Sequence, residues 1–536
     1  MSNLSRMQRQ AFDSFQHGDL EKSERLCAGI LEYLPDDFDA LHLLGMLHFQ
    51  RRRMVEALRF LAAALKVNAG SSDAMSNLGL ALHATGRYDE AIVHFRNALH
   101  IAPDHPEILY NLGNAYLETG RFAEASSSYD AVLATVPGHA GALVNRGNAL
   151  LRLNDPLAAM ASYEAALVAM PVHPQILTNR GHVLRRLDRP TEALVDFATA
   201  IAAAPEFPEA HFEAGMTHLS LGHFDAGWKA YEWRWKTGVF ARQRRSFQAP
   251  LWLGDEPVSG KTVLLHAEQG FGDTIQFVRY APLLAGRGAK VICEVQPELQ
   301  PLLSQLADVS VIAAGEPLPP CDLHCPLLSL PLAFKTQATT IPAAVPYLTA
   351  SAERVAYWRD RLQDRLSGQR PRAGFVWSGS PTHNNDRNRS IALARLAGLF
   401  EEPPMRCFSL QSELREPDRE TLQALPNLVH LGDDLSDFAD TAAIMSLLDV
   451  IISVDTAAAH LAGALGKPVV ILLPHAADFR WMRHRPDTPW YPTATLLRQP
   501  AFGDWDSVIA DLGRELRRFE RNQAVSSLED DAASPR

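Results

Sequence analysis

The chain has 536 residues, too many for one hydrophobic core, so roughly two to four domains are expected. It is 47% hydrophobic and 21% charged, ordinary for globular protein able to bury large cores. A formal net charge of −11 argues against a general affinity for nucleic acid or anionic membrane. Five cysteines in so long a chain (Cys27, Cys293, Cys321, Cys325, Cys407) do not make a disulfide scaffold. The first residues carry no apolar core of a leader, and no run approaches the ~18 apolar residues of a membrane span. These features read as a cytoplasmic protein with no membrane span.

Gly45, Gly79, Gly113, Gly147, Gly181 and Gly215 recur at a spacing of 34. Further registers run Ala57, Ala91, Ala125, Ala159, Ala193; Ala64, Ala98, Val132, Ala166, Ala200; and Pro103, Pro137, Pro171, Pro205. A period of 34 with small residues at fixed offsets is the signature of tetratricopeptide repeats (TPR), each a pair of antiparallel helices. Small residues belong where two helices approach closely, and the proline cannot continue a helical hydrogen-bond ladder. Phe95, Tyr129, Tyr163 and Phe197, four positions beyond an alanine, are expected to fill the space between helices. Ala11 and Ser23 mark a degenerate first repeat, and the aromatic run 228–235 marks a cap or a docking surface for the next domain. Residues 1–236 are therefore expected to form an all-α superhelical solenoid of roughly six to seven repeats.

Two residues before four of the glycines stand Asn77, Asn111, Asn145 and Asn179. Residues at one repeat position form a row along a solenoid, and this position is expected on the concave side. An amide offers two donors and an acceptor, which suits the main chain of an extended peptide. The alternative is that the row bonds neighbouring turns or water. The row resembles the asparagine ladder in the TPR superhelix of the O-GlcNAc transferases.

Past residue 236 the register stops. Residues 237–261, with Arg242, Arg244, Arg245, Pro250 and Pro257, read as a linker. Strands are then expected at 263–267, 291–295 and 309–313, with helices at 274–284 and 297–306 between them. A proline-containing stretch at 342–346 and a connecting helix at 352–366 separate these from strands at 373–377, 406–410, 450–454 and 469–473 and a last helix at 505–519. Alternating strands and helices predict parallel α/β sheet, here as two Rossmann-like lobes, 262–350 and 351–520. Residues 521–536 are polar and acidic, and are expected to be disordered.

The Gly254…Gly260-Lys261-Thr262 segment has one residue too many for a phosphate loop and precedes its strand, so it carries no phosphate site. Asp273, in the loop after the first strand, suits either a general base or a helix N-cap. After strand 450–454 the chain turns sharply through Asp455-Thr456 into a helix, whose free amides suit a diphosphate. His460 lies one turn deeper, facing either a phosphate or ribose or the core. Trp377-Ser378 closes another strand, and Arg389 downstream suits the charge of a leaving diphosphate. Arg480 and Trp481, with Trp490 and Tyr491, are expected to wall a pocket by stacking on a base. Cys321, His324 and Cys325 lack a fourth ligand, so no metal is expected.

Gly272-Asp273, Arg389 and the Asp455-Thr456…His460 turn resemble glycosyltransferase family 9, the heptosyltransferase-like group, over roughly residues 260–515. The resemblance implies a GT-B fold and metal-independent, inverting transfer from a nucleotide sugar, with no cofactor. It implies that Asp273 is the base, that Arg389 binds phosphate, that Asp455, Thr456 and His460 hold the donor, and that Glu413 is a donor-binding acid. The sequence departs from the family at Asn388-Arg389, where the family has Asp-Lys, and at Ala457, where it has glycine. TPR-linked bacterial flagellin glycosyltransferases share this domain order, which makes flagellin a candidate protein acceptor. The other readings are a non-catalytic adaptor with a degenerate GT-B half, and a transferase acting on lipid or polysaccharide.

Overall fold

The computed structural model describes residues 3–368, 370–383 and 385–533. Paired helices come first: Asn3–Gln16 with Leu20–Tyr33, Phe38–Gln50 with Met54–Val67, Ser72–Ala84 with Tyr88–Ile101, and Pro106–Glu118 with Phe122–Thr135. Ala140–Arg152 with Pro156–Ala169, Pro174–Arg186 with Pro190–Ala203, and Pro208–Ser220 with Phe224–Tyr231 continue the series. Local chemistry sets their ends. Asp37, Ser71 and Asp155 side chains accept from the backbone amide three residues on, and prolines open five of the later helices at their first position, where no amide is needed.

The 34-residue glycines are required by contact. A Cβ at Gly79, Gly113 or Gly147 would lie 2.6 Å from the ring of Phe95, Tyr129 or Tyr163, the residues expected to fill this space. The alanine registers from Ala57 to Ala193 and from Ala64 to Ala200 are fully buried. The first repeat forms as expected, with Ala11 and Ser23 buried and Ser23 Oγ donating to Ala11 O at 2.8 Å.

The chain divides into two compact units, Met1–Val183 and Leu184–Arg536. The division falls inside the repeats and not at residue 236, because the last pair shares a core with the α/β half. Trp228 stacks edge-on against Phe277 and Phe479, at 6.3 and 5.7 Å between centroids. The aromatic end of the repeats is thus a docking surface whose indole is removed from water.

Two all-parallel sheets come after the repeats. The first contains β1 (Thr262–His266), β2 (Lys290–Val295), β3 (Val309–Ala313) and β4 (Leu323–Pro326), in the order β3-β2-β1-β4. The second contains β5 (Arg372–Val376), β6 (Arg406–Ser409), β7 (Leu428–His430), β8 (Val450–Val454), β9 (Val469–Leu473) and β10 (Ala494–Arg498). Its order, β10-β9-β8-β5-β6-β7, is that of a doubly wound dinucleotide-type sheet, and the first sheet has the same order cut short after its fourth strand. In both, the order reverses beside the first strand, so ligand crevices are expected at the carboxyl ends of β1 and β4 and of β5 and β8.

Several expected elements differ. β4 and β7 are not legible in the sequence because they are short, and β10 because Pro492 and Thr493 precede it and it ends in Arg498. The helix expected at 274–284 is two, Phe271–Phe277 and Tyr280–Ala285. The guanidinium of Arg279, in the break, donates to Pro342 O and Trp490 O at 3.0 and 2.8 Å. The stretch 297–306 is a 3₁₀ turn, Pro297–Leu299, followed by Gln300–Leu303, and 352–366 divides into Ala352–Arg361 and Gln363–Leu366. The final helix, Trp505–Ala533, runs into the segment expected to be disordered, since no proline interrupts it before Pro535. Residues 534–536 of that segment lie outside the described residues.

One buried ion cluster ties the last repeat to the first sheet. Arg234, in the 3₁₀ turn Glu232–Lys236, is fully buried and donates to Glu232 Oε1 (2.6 Å), Glu268 Oε1 (2.9 Å) and Ser329 Oγ (2.8 Å). Replacing Arg234 with Ala strands two carboxylates in the interior, and is expected to cost ~3–5 kcal/mol in denaturant unfolding. Arg234→Ala combined with Glu268→Gln should recover part of that loss; strictly additive losses would show that the cluster does not act as a unit.

Candidate functional site

The site lies within the second unit, where loops at the carboxyl ends of β1, β5 and β8 meet. After β1 the chain passes Glu268-Gln269-Gly270 into Phe271–Phe277. Gly270 is the N-cap of this helix, and Asp273, its third residue, reaches back with Oδ2 accepting from Gly270 N at 2.9 Å, while its Oδ1 pairs with Arg480. Asp273 is therefore not the expected N-cap, because the helix starts earlier, but its carboxylate closes the first turn and also faces the second lobe. The crevice between β1 and β4 is filled by the chain itself, since Arg234 joins Glu268 after β1 to Ser329 after β4.

The crevice of the second sheet is built differently. Ser378, beyond the end of β5, is held by Gln411, whose Oε1 accepts from Trp377 N and Ser378 N at 3.2 and 3.1 Å. Arg389, on the short helix Asp386–Arg389, donates from Nη1 to Asp455 O at 2.8 Å, joining the β5 loop to the β8 turn. It packs on Gly379: a Cβ there would lie 2.5 Å from Arg389 Nη2, so the guanidinium would have to shift. Thr456 caps Ala457–Ala464 without a side-chain bond to its amides, and its Oγ1 lies 3.0 Å from Ser453 Oγ. Ser378 Oγ and Arg389 Nε are both buried, with no hydrogen-bond partner among the described residues.

Between the lobes, Phe271–Phe277 packs against Ala457–Ala464. A side chain at Gly272 would meet His460 Cδ2 at 2.7 Å and Ala457 Cα at 3.4 Å, so only glycine permits this approach. His460, expected either to reach a phosphate or to face the core, takes the second course. It is buried, its Nδ1 lies 2.9 Å from Tyr491 OH, and its ring stacks on Trp481 at 5.1 Å. Burial first, then Arg480, Arg279 and Arg389, push its pKa well below the usual histidine value, so it stays neutral.

The charged groups are concentrated. Arg480 pairs with Asp273 of the first lobe and, through Nη1, with Asp478 Oδ1 at 2.7 Å. Burial raises the Asp273 pKa, opposed mainly by Arg480. Asp455 is pushed up to about 6 by burial and the Asp478 charge, against Arg389. Glu268 is pushed up to about 7 by burial, against Arg234. The arrangement sets a half-buried carboxylate of raised pKa opposite two arginines and a helix start.

Of the expected residues, the structure brings together Asp273, Ser378, Arg389, Asp455, Thr456, His460 and Arg480. Trp377 is turned away: its indole Nε1 donates to Asp418 Oδ2 at 3.0 Å inside the second-sheet core. Glu413 is exposed on the surface, with its backbone O accepting from Gln411 Nε2. Trp481, Trp490 and Tyr491, expected to stack on a base, are fully buried and pack in the core between the lobes. Large rings bury more apolar area there than an open pocket wall allows. His324 lies 3.2 Å from His266, and Cys325 Sγ donates to Pro326 O. No group of three or more His, Cys, Asp and Glu that could hold a metal occurs among the described residues. Gln411 and Arg234 were not legible as site residues, because each acts through a partner far away in sequence.

In the first unit three of the four asparagines of the row bond to the preceding repeat. Asn145 Nδ2 donates to Asn114 Oδ1 at 2.9 Å, and Asn179 Nδ2 donates to Asn148 Oδ1 at 3.1 Å. Each acceptor also receives a buried tyrosine hydroxyl, Tyr129 or Tyr163, at 2.8 and 2.7 Å. Asn77 Nδ2 lies 2.8 Å from His42 Nε2, and Asn111 has no hydrogen bond among the described residues. Asn114 and Asn148 are themselves 34 apart, a signal the sequence carried.

One tetratricopeptide-repeat family model matches residues 56–106, 110–174 and 178–232, and another matches 82–135. Protein FlbA of Caulobacter vibrioides is 25% identical over 328 residues, 56% of this chain and 54% of that protein. The chain thus spans about half the length of this relative. A tetratricopeptide repeat protein from Parabacteroides merdae is 15% identical with a TM-score of 0.37, over 44% of this chain and 93% of its own. YrrB, a TPR protein with an unusual peptide-binding site, is 18% identical with a TM-score of 0.30, over 33% and 91%. No described helix is long and apolar enough to cross a membrane. The helical pairs of this chain are tetratricopeptide repeats, a fold that serves protein–protein interaction.

Proposed function

We propose that this protein is a cytoplasmic glycosyltransferase of the GT-B kind, moving a sugar from a nucleotide sugar to a protein acceptor held by the repeats. The observation that carries the reading is the meeting of Asp273 with Arg480, Arg389 and the Asp455-Thr456 turn at the strand ends of two parallel sheets. Asp273 takes the proton of the acceptor hydroxyl, and the oxygen attacks the anomeric carbon from the face opposite the leaving group. The bond from that carbon to the diphosphate oxygen breaks, and its electron pair stays on the diphosphate. Arg389 and the amides at the start of Ala457–Ala464 receive that charge. Ser378 Oγ and Arg389 Nε, which lack a hydrogen-bond partner among the described residues although Arg389 Nε lies 4.0 Å from Asp386 Oδ1, are polar atoms that a bound diphosphate or ribose satisfies. The second-sheet crevice is the donor site because Arg234 already fills the first. Flagellin is the acceptor to try first.

Titrating a panel of nucleotide sugars by calorimetry tests the donor site. One of them should bind, and Arg389→Ala should weaken it by about tenfold or more, for loss of a charge-assisted contact. If none binds, the enzyme reading fails. Asp273→Asn should retain donor binding and lose transfer by a factor on the order of 10²–10⁴, read by mass spectrometry of the acceptor. Donor binding without transfer to any acceptor from cell extract would favour an adaptor.

The groove reading is tested most cleanly at Asn111, which holds no neighbouring repeat. Asn111→Ala should leave stability unchanged within ~0.5 kcal/mol and weaken acceptor capture. Unchanged capture would remove the row from the peptide-binding surface.

A further inference from the structure

The first three residues past β5 offer no open amide to an anion. Gln411 Oε1 accepts from Trp377 N and Ser378 N, and Gln411 Nε2 donates to Ser378 O at 3.0 Å. Gly379 N donates to Ser390 Oγ at 3.0 Å. A glycine-rich phosphate loop leaves such amides open. Here they are consumed, so the charge of a ligand at this strand end falls on side chains and on the start of Ala457–Ala464. Ser378 is 3% exposed, its backbone is satisfied by Gln411, and its Oγ alone lacks a partner among the described residues.

Two guanidiniums flank Gly379. Arg389 packs on the face where a Cβ would stand. Arg415, from the loop after β6, approaches from the carbonyl side. Its Nη2 donates to Gly379 O at 3.3 Å, to Ser390 Oγ at 3.2 Å and to Asp386 Oδ2 at 2.6 Å. Asp386 is buried, and its Oδ1 accepts from Ser390 Oγ at 2.6 Å and lies 4.0 Å from Arg389 Nε. One carboxylate thus serves both arginines. Asp455 also faces Arg389, but it shares its field with Arg480 and Arg498. Every hydrogen bond of the Arg415 guanidinium among the described residues runs through Nη2. Its Nε is buried without a partner and the side chain is 35% exposed, so Nη1 can meet a ligand while Nη2 keeps Asp386.

We propose that Arg415 is a second phosphate-binding residue of the donor site, gripping the two phosphates of a nucleoside diphosphate together with Arg389 and Ser378 Oγ. This rests on the donor-site reading above. A diphosphate presents two charged groups side by side, and a planar guanidinium fork meets phosphate oxygens with parallel hydrogen bonds. The class of donor follows from the pair. A sugar carried on a nucleoside diphosphate satisfies both arginines, whereas one carried on a nucleoside monophosphate leaves one of them without its anion. Arg415 need not move, because Nη2 stays on Asp386 and Gly379 O.

The test titrates the full chain with UDP, GDP, ADP and CDP, and measures the matching nucleoside and nucleoside monophosphate by displacement of the diphosphate that binds. Arg415→Met should weaken that diphosphate about tenfold and leave its nucleoside unchanged within about twofold. The preference for diphosphate over monophosphate should shrink by a similar factor. If Arg415→Met does not fold, Arg415→Gln, which keeps a donor for Gly379 O, reads the same difference. Diphosphate and nucleoside weakened alike would mean that Arg415 only shapes the loop, which overturns the proposal. An unchanged diphosphate affinity overturns it too, and if Arg389→Ala is weakened in the same assay the donor site still stands. Binding of no diphosphate to wild type overturns the donor site and the second arginine together. A crystal structure with the bound diphosphate gives the contact directly: Arg415 within hydrogen-bond distance of a phosphate oxygen supports the proposal, and Arg415 out of reach of both phosphates overturns it.

Discussion

A guanidinium sealed away from water at Arg234 is the constraint on which the second unit depends. Burial opposes its charge, but Glu268 and Glu232 hold its pKa above the usual arginine value. Arg234 and Glu232 come from the end of the last repeat, while Glu268 and Ser329 come from the ends of two strands, so the cluster is complete only when all the segments are in place. Such clusters are weak sources of net stability, and leaving one member alone is expensive. Their effect is to fix register between elements far apart in sequence. The repeats therefore do not end in a flexible join. Their last pair is part of the wall of the first sheet.

From that wall the geometry passes to the site. Tyr231, next to the Arg234 turn, takes a hydrogen bond from Gln269, and Gln269 O takes one from Gln296. The loop that carries Asp273 is thus set by backbone and side-chain bonds on both sides. Across from it, Phe479 rests on Trp228 and Tyr231 and brings Arg480 to Asp273. The close approach of Phe271–Phe277 to Ala457–Ala464 is allowed by Gly272, the one residue there that leaves room for the His460 ring. Packing, more than propensity, determines which carboxylate meets which arginine.

Much of this is legible in the sequence. The 34-residue glycines, the buried alanines and the filling aromatics can be read because repeat packing is local: each contact joins residues 15 to 16 positions apart, such as Gly113 with Tyr129. The parallel sheets are legible from alternation of apolar runs and helices, except where β4 and β7 are too short to show a period and where β10 follows Pro492 and Thr493 and ends in Arg498. Asp273, Arg389 and Asp455 stand out as strand-end residues. The aromatic residues near 481–491 do not take their expected places, because a sequence shows that a ring is large and not which side of it is covered. The asparagine row is visible as a period, but its bonds to Asn114 and Asn148 depend on how one repeat leans on the next.

The sequence by itself determined the repeats, their caps and the alternation that makes two parallel sheets, since these follow from periodicity and from residues a few turns apart. Only the tertiary structure decided that the last repeat belongs to the α/β unit, that Arg234 fills one crevice and leaves the other, and that Arg480 sits on Asp273. The reason is physical. A buried charge must find its counter-ion wherever folding brings one, and for Arg480 and Asp273 that partner is 207 residues away, beyond the reach of any local pattern.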